Sequence, residues 1–232
     1  MMDIDISVII CTRNRYDSLR ETLHSLLRQK INDIYQYEII LVDNNSTDNT
    51  KGVFEEFSKK FQGRLRYVLE KNQGLSYARN TGISVTGGKI IAFTDDDCII
   101  DKNWMQAICE CAKEIDFDAL GGRIIPGYPL NTPAWVKENA DLLCGAIVYH
   151  DYGEGIRKYA RPMFEIVGAN MIFKRDVFKT HGMFRIDLGV GQGTMGEDTE
   201  FFKRLASKSE KIFYCGKLIV HHPVDLKRIK LK

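Results

Sequence analysis

Three adjacent carboxylates, Asp95-Asp96-Asp97, are the sharpest chemical feature of the chain. Neighbouring acids repel one another, and alternation along an extended segment puts Asp95 and Asp97 on one side. Hard oxygen donors in that arrangement suit Mg²⁺ or Mn²⁺, which keep part of their water shell and take a substrate phosphate as a further ligand. A second acidic group, Gly196-Glu197-Asp198-Thr199-Glu200, stands where a helix begins. Acidic residues and Thr favour such a start, where they cap the helix and meet its dipole. The same rigid position can hold a carboxylate as a general base. Basic and amide groups complete the set in Thr12-Arg13-Asn14-Arg15 and Asp43-Asn44-Asn45-Ser46. Together these residue types can bind an anionic, hydrogen-bonding ligand, provided a cation neutralises the acids.

The elements around these residues put them in one place. Ile6–Cys11, Glu38–Val42, Leu65–Leu69 and Ile90–Phe93 are short, β-branched and nearly continuous in apolarity, as strands covered on both faces are. Helical stripes lie between or after them: Leu19, Leu23, Leu26 and Leu27; Val53, Phe57 and Phe61; Trp104, Ile108, Ala112 and Ile115. Ser18-Leu19-Arg20-Glu21 reads as a capping box opening the first helix. Strand and helix alternating in this way predict an α/β fold with a mostly parallel central sheet flanked by helices. In such sheets ligands bind beyond the carboxyl ends of the strands. The first strand exits through Thr12–Arg15, the second through Asp43–Ser46 and the fourth through Thr94–Asp97, so one sheet end gathers the chemistry. The second half is less regular. Prolines and glycines over 126–165 predict short, interrupted strands, with helical order back at Glu200–Ala206 and an apolar run at Lys217–Val220.

Composition bounds the rest. The 232 residues are 44% hydrophobic and 28% charged, which fits one globular domain. Lys and Arg number 33 against 31 Asp and Glu, a net charge of +2, and with no basic stripe or aromatic platform nucleic acid is not expected as a partner. No apolar run approaches the roughly 18 residues of a membrane span, and Met1–Asp5 lacks the layout of a signal peptide. Six cysteines without a CxxC pair or zinc spacing read as reduced core thiols. The expectation is a cytoplasmic protein.

Taken in order, these motifs resemble the family 2 glycosyltransferases and their GT-A fold over nearly the whole chain. Ser7–Arg15 looks like the family's first strand and donor-contacting loop, which implies donor contacts for Thr12, Arg13 and Arg15. Ile40–Asp48 looks like the second, implying that Asp43, with Asn44 beside it, meets the nucleotide base. Asn72–Gly82 resembles the following helix, whose Arg, here Arg79, reaches the nucleotide. Phe93–Asp97 resembles the DxD metal-diphosphate motif, although Thr94 stands where the family usually has Leu. That likeness implies Asp97 for the metal and Asp95 for the ribose, with Asp96 as the alternative ligand. Gly168-Ala169-Asn170 resembles the acceptor segment, with Gly168 and Asn170 as acceptor contacts. Glu197-Asp198 resembles the ED motif, implying Asp198 as catalytic base beside Glu197. Of His221-His222-Pro223-Val224 only one His can face the site, and the family's pattern favours His222 as a metal contact.

The resemblance implies one GT-A domain over 1–232, with a nucleotide-sugar half over 1–100 and an acceptor half over 101–232. It implies an inverting transfer, dependent on Mn²⁺ or Mg²⁺, from a nucleotide-sugar to a hydroxyl of a glycan or lipid-linked acceptor. A UDP-sugar is the commonest donor in the family; GDP and dTDP stay open. The alternatives are a non-catalytic nucleotide-sugar-binding relative and a sugar nucleotidyltransferase, whose usual Gly-rich basic loop after the first strand is missing here. Gly191–Gly196 matches GxGxxG in form, but it reads as a mobile loop leading into Glu197-Asp198 rather than a dinucleotide site. The sequons at Asn44 and Asn45 read as chance matches. The basic tail Leu226–Lys232 reads as a solvated terminus, with weak attraction to an anionic membrane surface, at its inner face, as the functional alternative. Sequences of the family often continue beyond this point.

Overall fold

The computed structural model describes residues 4–160, 165–191, 195–209 and 211–229. The four expected strands form β1 (Ile6–Thr12), β2 (Tyr37–Asp43), β3 (Leu65–Leu69) and β4 (Ile90–Asp95), paired in parallel in the order β3-β2-β1-β4. Their nearly unbroken apolarity has a simple cause, since each strand feeds two cores. Ile6, Val8 and Ile10 of β1 face one core while Ile9 faces the other, and β2 repeats the division with Ile39 and Leu41 against Ile40 and Val42.

The first core is closed by α1 (Tyr16–Leu27), α2 (Thr50–Lys60) and, further along the sheet, α4 (Trp104–Glu114). The second is closed by α3 (Leu75–Val85). Helix α3 lies so close that a Cβ on Gly82 would stand 2.7 Å from Ile9 Cγ2, so this mid-helix glycine is required by packing.

Two helix details correct the sequence reading. Helix α1 begins at Tyr16 rather than at a Ser18 cap. The Tyr16 N–H instead donates to Asp48 Oδ2 at 3.2 Å, and Ser18 Oγ donates back to Arg15 O. On α4 the buried stripe is Trp104, Ile108 and Cys111, whereas Ala112 is exposed.

Beyond β4 the sheet changes character. It continues β4-β8-β6-β9-β5 through β5 (Ile99–Ile100), β6 (Ala119–Gly127), β8 (Met171–Lys174) and β9 (Ile212–Pro223), and β7 (Ile156–Lys158) pairs with β9 to make nine strands. In this half only the β6–β9 pairing is parallel; β4–β8, β6–β8, β5–β9 and β7–β9 are antiparallel. Strand β6 runs through Pro126 because β8 pairs only Ala119–Gly121 and the bridge to His150 ends at Ile124, so among the described residues no strand on that side of Pro126 needs its missing N–H. Short helices α5 (Ala134–Glu138), α6 (Cys144–Ile147) and α7 (Asp176–His181) and the longer α8 (Glu197–Ala206) complete the chain, with 3₁₀ turns at Gly168–Asn170 and Leu226–Arg228. Aromatics knit α7 and α8 to the second core: Phe173, Phe178, Phe184 and Phe201 stack or meet edge to face at centroid distances of 4.7 to 6.0 Å. All six cysteines are free thiols. Among the described residues no helix is long and apolar enough to cross a membrane.

Candidate active site

At the carboxyl ends of β1 and β4 the sheet opens into a cavity of about 730 Å³. Its wall brings together residues far apart in sequence: Thr12, Arg13, Arg15, Asn44, Arg79, Asp95, Asp96, Asp97, Gly168, Glu197, Asp198 and His222. Asp43 and Asn170 are expected site residues that do not line it.

The loops after β1 and β2 are latched together. Asn14 and Asn45 take left-handed φ values of 53° and 62°, a conformation that Asn tolerates better than most residues. The Asn14 N–H donates to Ser46 Oγ at 3.0 Å and the Thr47 N–H donates to Asn14 Oδ1 at 2.7 Å. Asp43 is buried beneath them, accepting from the Ser46 N–H at 2.8 Å and from the Tyr67 hydroxyl at 2.6 Å. Asn44 is also spoken for. Its Nδ2 donates to Glu70 O and Asn72 O, and its Oδ1 accepts from the Gly74 N–H, so the side chain shapes the turn into α3.

The three aspartates divide their work. Asp95 and Asp97 stand with Cys98 and His222 so that one donor atom from each lies within 4.8 Å of the others. Burial raises the Asp95 carboxyl to about 7; the Arg79 charge works against that rise, while Asp97, Asp96 and Asp198 add to it. His222 Nδ1 lies 2.9 Å from Pro223 O, so the tautomer that donates there leaves Nε2 with a lone pair, 3.7 Å from Asp97 Oδ1. Cys98 is fully buried and its thiol is pushed well above its usual range by that burial, so it stays protonated and gives Asp97 only a weak 3.9 Å contact. Two carboxylates and an imidazole with an available nitrogen, crowded enough to raise a proton affinity, are a donor set that fits Mn²⁺ or Mg²⁺. His221, whose neighbours in the sheet are Ile99 and Ile125, is not part of the cavity wall.

Asp96 turns away to the β1 side. It accepts from Arg15 Nη1 at 2.9 Å, and the same Nη1 lies 2.8 Å from Asp97 Oδ2. Burial raises the Asp96 carboxyl, opposed by Thr12 and Arg15.

On the far wall α8 starts at the acidic pair. Asp198 Oδ2 accepts from the Gly168 N–H at 2.9 Å and Oδ1 accepts from the Thr199 N–H at 2.7 Å. Glu197 meets Arg79 Nη1 at 2.5 Å, with the two side chains 6% and 4% exposed. Burial works against the Arg79 charge, but Glu197, then Asp198 and Asp95, more than offset it and hold the guanidinium protonated. Gly168 has no room for a side chain. A Cβ there would lie 2.4 Å from Arg79 Nη2 and 3.2 Å from Asp198 Oδ2.

Asn170, expected as an acceptor contact, stands behind the cavity wall. It is 1% exposed, and its amide plugs the bulge in the β6–β9 ladder: Nδ2 donates to Arg123 O and Leu218 O while Oδ1 accepts from Trp104 Nε1. Both Nδ2 hydrogens and one Oδ1 lone pair are spent inside the protein, and Asn170 does not line the cavity. Sequence reasoning also passed over Val148 and Arg228, which line the cavity. Val148 ends α6 at φ 51°, a strained left-handed conformation for a β-branched residue. No local signal marks it. Arg228 sits in the stretch read as a solvated tail. Gln192, Gly193 and Thr194 of the GxGxxG match, and Lys230–Lys232 of that tail, lie outside the described residues.

Comparison with known proteins bears on the family and the fold. The profile of Glycosyl transferase family 2 matches residues 7–182. Glycosyltransferase AglE of Haloferax volcanii is 32% identical over 94% of this chain and 66% of its own length. Staphylococcus aureus TarS 1-349 in complex with UDP-GlcNAc superposes with a TM-score of 0.74 at 19% identity, over 95% of this chain and 58% of that one. The mannosyltransferase PcManGT from Pyrobaculum calidifontis, in complex with GDP-Man and Mn²⁺, gives a TM-score of 0.69 at 18% identity, over 96% and 57%. The chain spans 57% to 70% of the lengths of three sequence relatives. It has the GT-A fold, and it belongs to glycosyl transferase family 2.

Proposed function

We propose that the protein transfers a sugar from a nucleotide-sugar, a UDP-sugar in the first instance, to a hydroxyl of a glycan or lipid-linked glycan, with inversion at the anomeric carbon. One observation carries this reading: the Asp95, Asp97 and His222 donor set and the Asp198 carboxylate line the same cavity. Charge supports it as well. Among the described residues five carboxylates and four guanidiniums line the cavity, so a divalent cation leaves a small positive excess for the diphosphate of a donor.

Residues 1–100 supply most of the donor side, with Thr12, Arg13 and the Asp43 end of β2 toward the nucleotide; residues 101–232 supply the acceptor side. Asp97 and His222 would hold Mn²⁺ or Mg²⁺ together with Asp95, which the donor geometry moves from the expected ribose contact to the cation in place of Asp96. The cation would neutralise charge on a leaving diphosphate. Asp198 accepts the proton of the attacking hydroxyl. Its carboxylate is fixed by the Gly168 N–H, so the base meets the hydroxyl without a search through rotamers. The hydroxyl attacks from the face opposite the leaving group, a new C–O bond forms as the old one breaks, and no sugar–enzyme bond is needed. Glu197 acts as the partner of Arg79 and fixes the start of α8.

The test is the Asp198→Asn variant. Nucleoside diphosphate binding stays within about twofold of the parent while sugar transfer falls at least about a hundredfold, the scale of a lost general base. A variant that transfers at the parent rate refutes the assignment of the base. A parent protein that binds nucleoside diphosphate but transfers no sugar points to the non-catalytic nucleotide-sugar-binding relative. One that binds no nucleoside diphosphate removes the donor reading and leaves the sugar nucleotidyltransferase.

A further inference from the structure

We propose that Arg228 is a phosphate-binding residue of this cavity, supplied by the 3₁₀ turn that follows the His222 strand. The inference rests on the donor reading above and adds a residue to it.

Its basis is what the cavity's arginines are already doing. Arg13, Arg15, Arg79 and Arg228 line the wall. Arg15 is held between Asp96 and Asp97, at 2.9 and 2.8 Å, and Arg79 is held on Glu197 at 2.5 Å. Arg15 spends one nitrogen, Nη1, on both carboxylates, and Arg79 is buried against Glu197. Among the described residues Arg13 has no carboxylate partner. Within the same set Arg228 pairs only loosely with Asp225, Nε lying 3.9 Å from Oδ2, too far for a hydrogen bond. Arg13 and Arg228 are thus, among the described residues, the two guanidiniums of the wall with no carboxylate hydrogen-bonded to them. Arg13 follows β1, where donor contacts were expected. Arg228 comes from the other end of the chain, outside the residues that match the family profile.

The turn that carries Arg228 is built to hold its backbone and leave its head movable. The Val224 N–H donates to Gly127 O at 3.1 Å, and the Val224 side chain is buried. Asp225 Oδ1 accepts from the Lys227 N–H at 3.0 Å, and the Arg228 N–H donates to Asp225 O at 3.0 Å. The Arg228 side chain itself is 56% exposed. A frayed terminus would show none of these anchors. The turn follows the strand that carries His222, with Pro223, Val224 and Asp225 between that residue and the turn, and Arg228 lines the cavity that also holds Asp97 and His222, where hard-ligand chemistry calls for phosphate oxygens. A planar guanidinium offers two parallel N–H donors to such oxygens, a geometry that lysine cannot copy.

The experiment is titration calorimetry of UDP and GDP, each with Mn²⁺, against the parent, Arg228→Ala and Arg228→Lys, with the matching nucleosides as ligands lacking phosphate. We expect Arg228→Ala to weaken the preferred diphosphate about tenfold, the scale of one charge-assisted contact at a half-exposed site, and to leave the nucleoside unchanged. Arg228→Lys recovers part of the loss. Diphosphate binding within twofold of the parent in Arg228→Ala overturns the inference and leaves the donor reading standing. An equal loss for diphosphate and nucleoside also overturns it, because the effect is then on the fold. If the parent binds neither diphosphate, the donor reading itself fails and the inference falls with it.

Discussion

Removing the Asp95 charge should stabilise the protein when no cation is present. Burial and its neighbouring acids hold the Asp95 carboxyl at about 7 against an ordinary 3.8. Each tenfold change in proton affinity is about 1.4 kcal/mol, so keeping Asp95 ionised at pH 8 costs the fold about 4 kcal/mol as an upper figure. Asp96 and Asp97 share that repulsion and an Asn must still be desolvated, so the expected gain for Asp95→Asn is about 2 kcal/mol, or about 4–8 °C in Tm for a chain of this size. The sign depends on pH. Below about pH 4 folded and unfolded chains both carry the proton and the cost vanishes. Between about 4 and 7 the unfolded chain ionises first, so this group's contribution falls as pH rises; above 7 the cost is full. Thermal melts of the parent and Asp95→Asn in EDTA, from pH 4.5 to 8, therefore start close together and separate as the pH rises, with the variant on top. Saturating Mn²⁺ closes or reverses the gap, because only the parent keeps the full donor set. A variant no more stable than the parent at pH 8 in EDTA, or a gap that does not change with pH, refutes the account of the acid cluster.

Other positions test separate parts of the structure. Asn170→Ala strands buried partners on Trp104, Arg123 and Leu218, so it should lower stability by about 3 kcal/mol, about 6–12 °C in Tm, while the folded protein still binds nucleoside diphosphate. Loss of ligand affinity without loss of Tm would return Asn170 to the site. Gly168→Ala drives a methyl group against Arg79 and Asp198 and should cost about 1–3 kcal/mol, with transfer reduced at least tenfold in a protein that still folds by circular dichroism. Gly82→Ala gains helix propensity but meets Ile9 Cγ2 at 2.7 Å; a lower Tm is expected, and a higher one would show that α3 can lift off the sheet.

How much of this was legible in the sequence follows from where each signal arises. Strands β1 to β4 could be read because each is sandwiched between two cores and so writes an unbroken β-branched run into the chain. Their exits, Thr12–Arg15 and Thr94–Asp97, then located the cavity before any coordinates. The second half hid itself because its strands are fixed by distant partners rather than by pattern. Strand β6 passes through Pro126, β8 is four residues long, and the β6–β9 bulge depends on an amide from Asn170. The same distance explains the site residues whose roles changed. Arg79 and Glu197 lie 118 positions apart, and only the fold shows that each is the other's partner. Asn44 lines the cavity while its side-chain hydrogen bonds secure the turn at 70–74, a role that residue type alone does not show.

The central claim is a cation-assisted nucleotide-sugar site, and melting the protein against a panel of nucleoside diphosphates with Mn²⁺, Mg²⁺ or EDTA tests it most directly. A ligand that binds only the folded chain at about a hundred times its Kd adds about 2.7 kcal/mol, or about 5–11 °C here. The account predicts such a shift for one base, present with the cation, lost in EDTA and lost in Asp97→Ala. No shift with any nucleotide in folded protein, or a shift of equal size in Asp97→Ala, would contradict it.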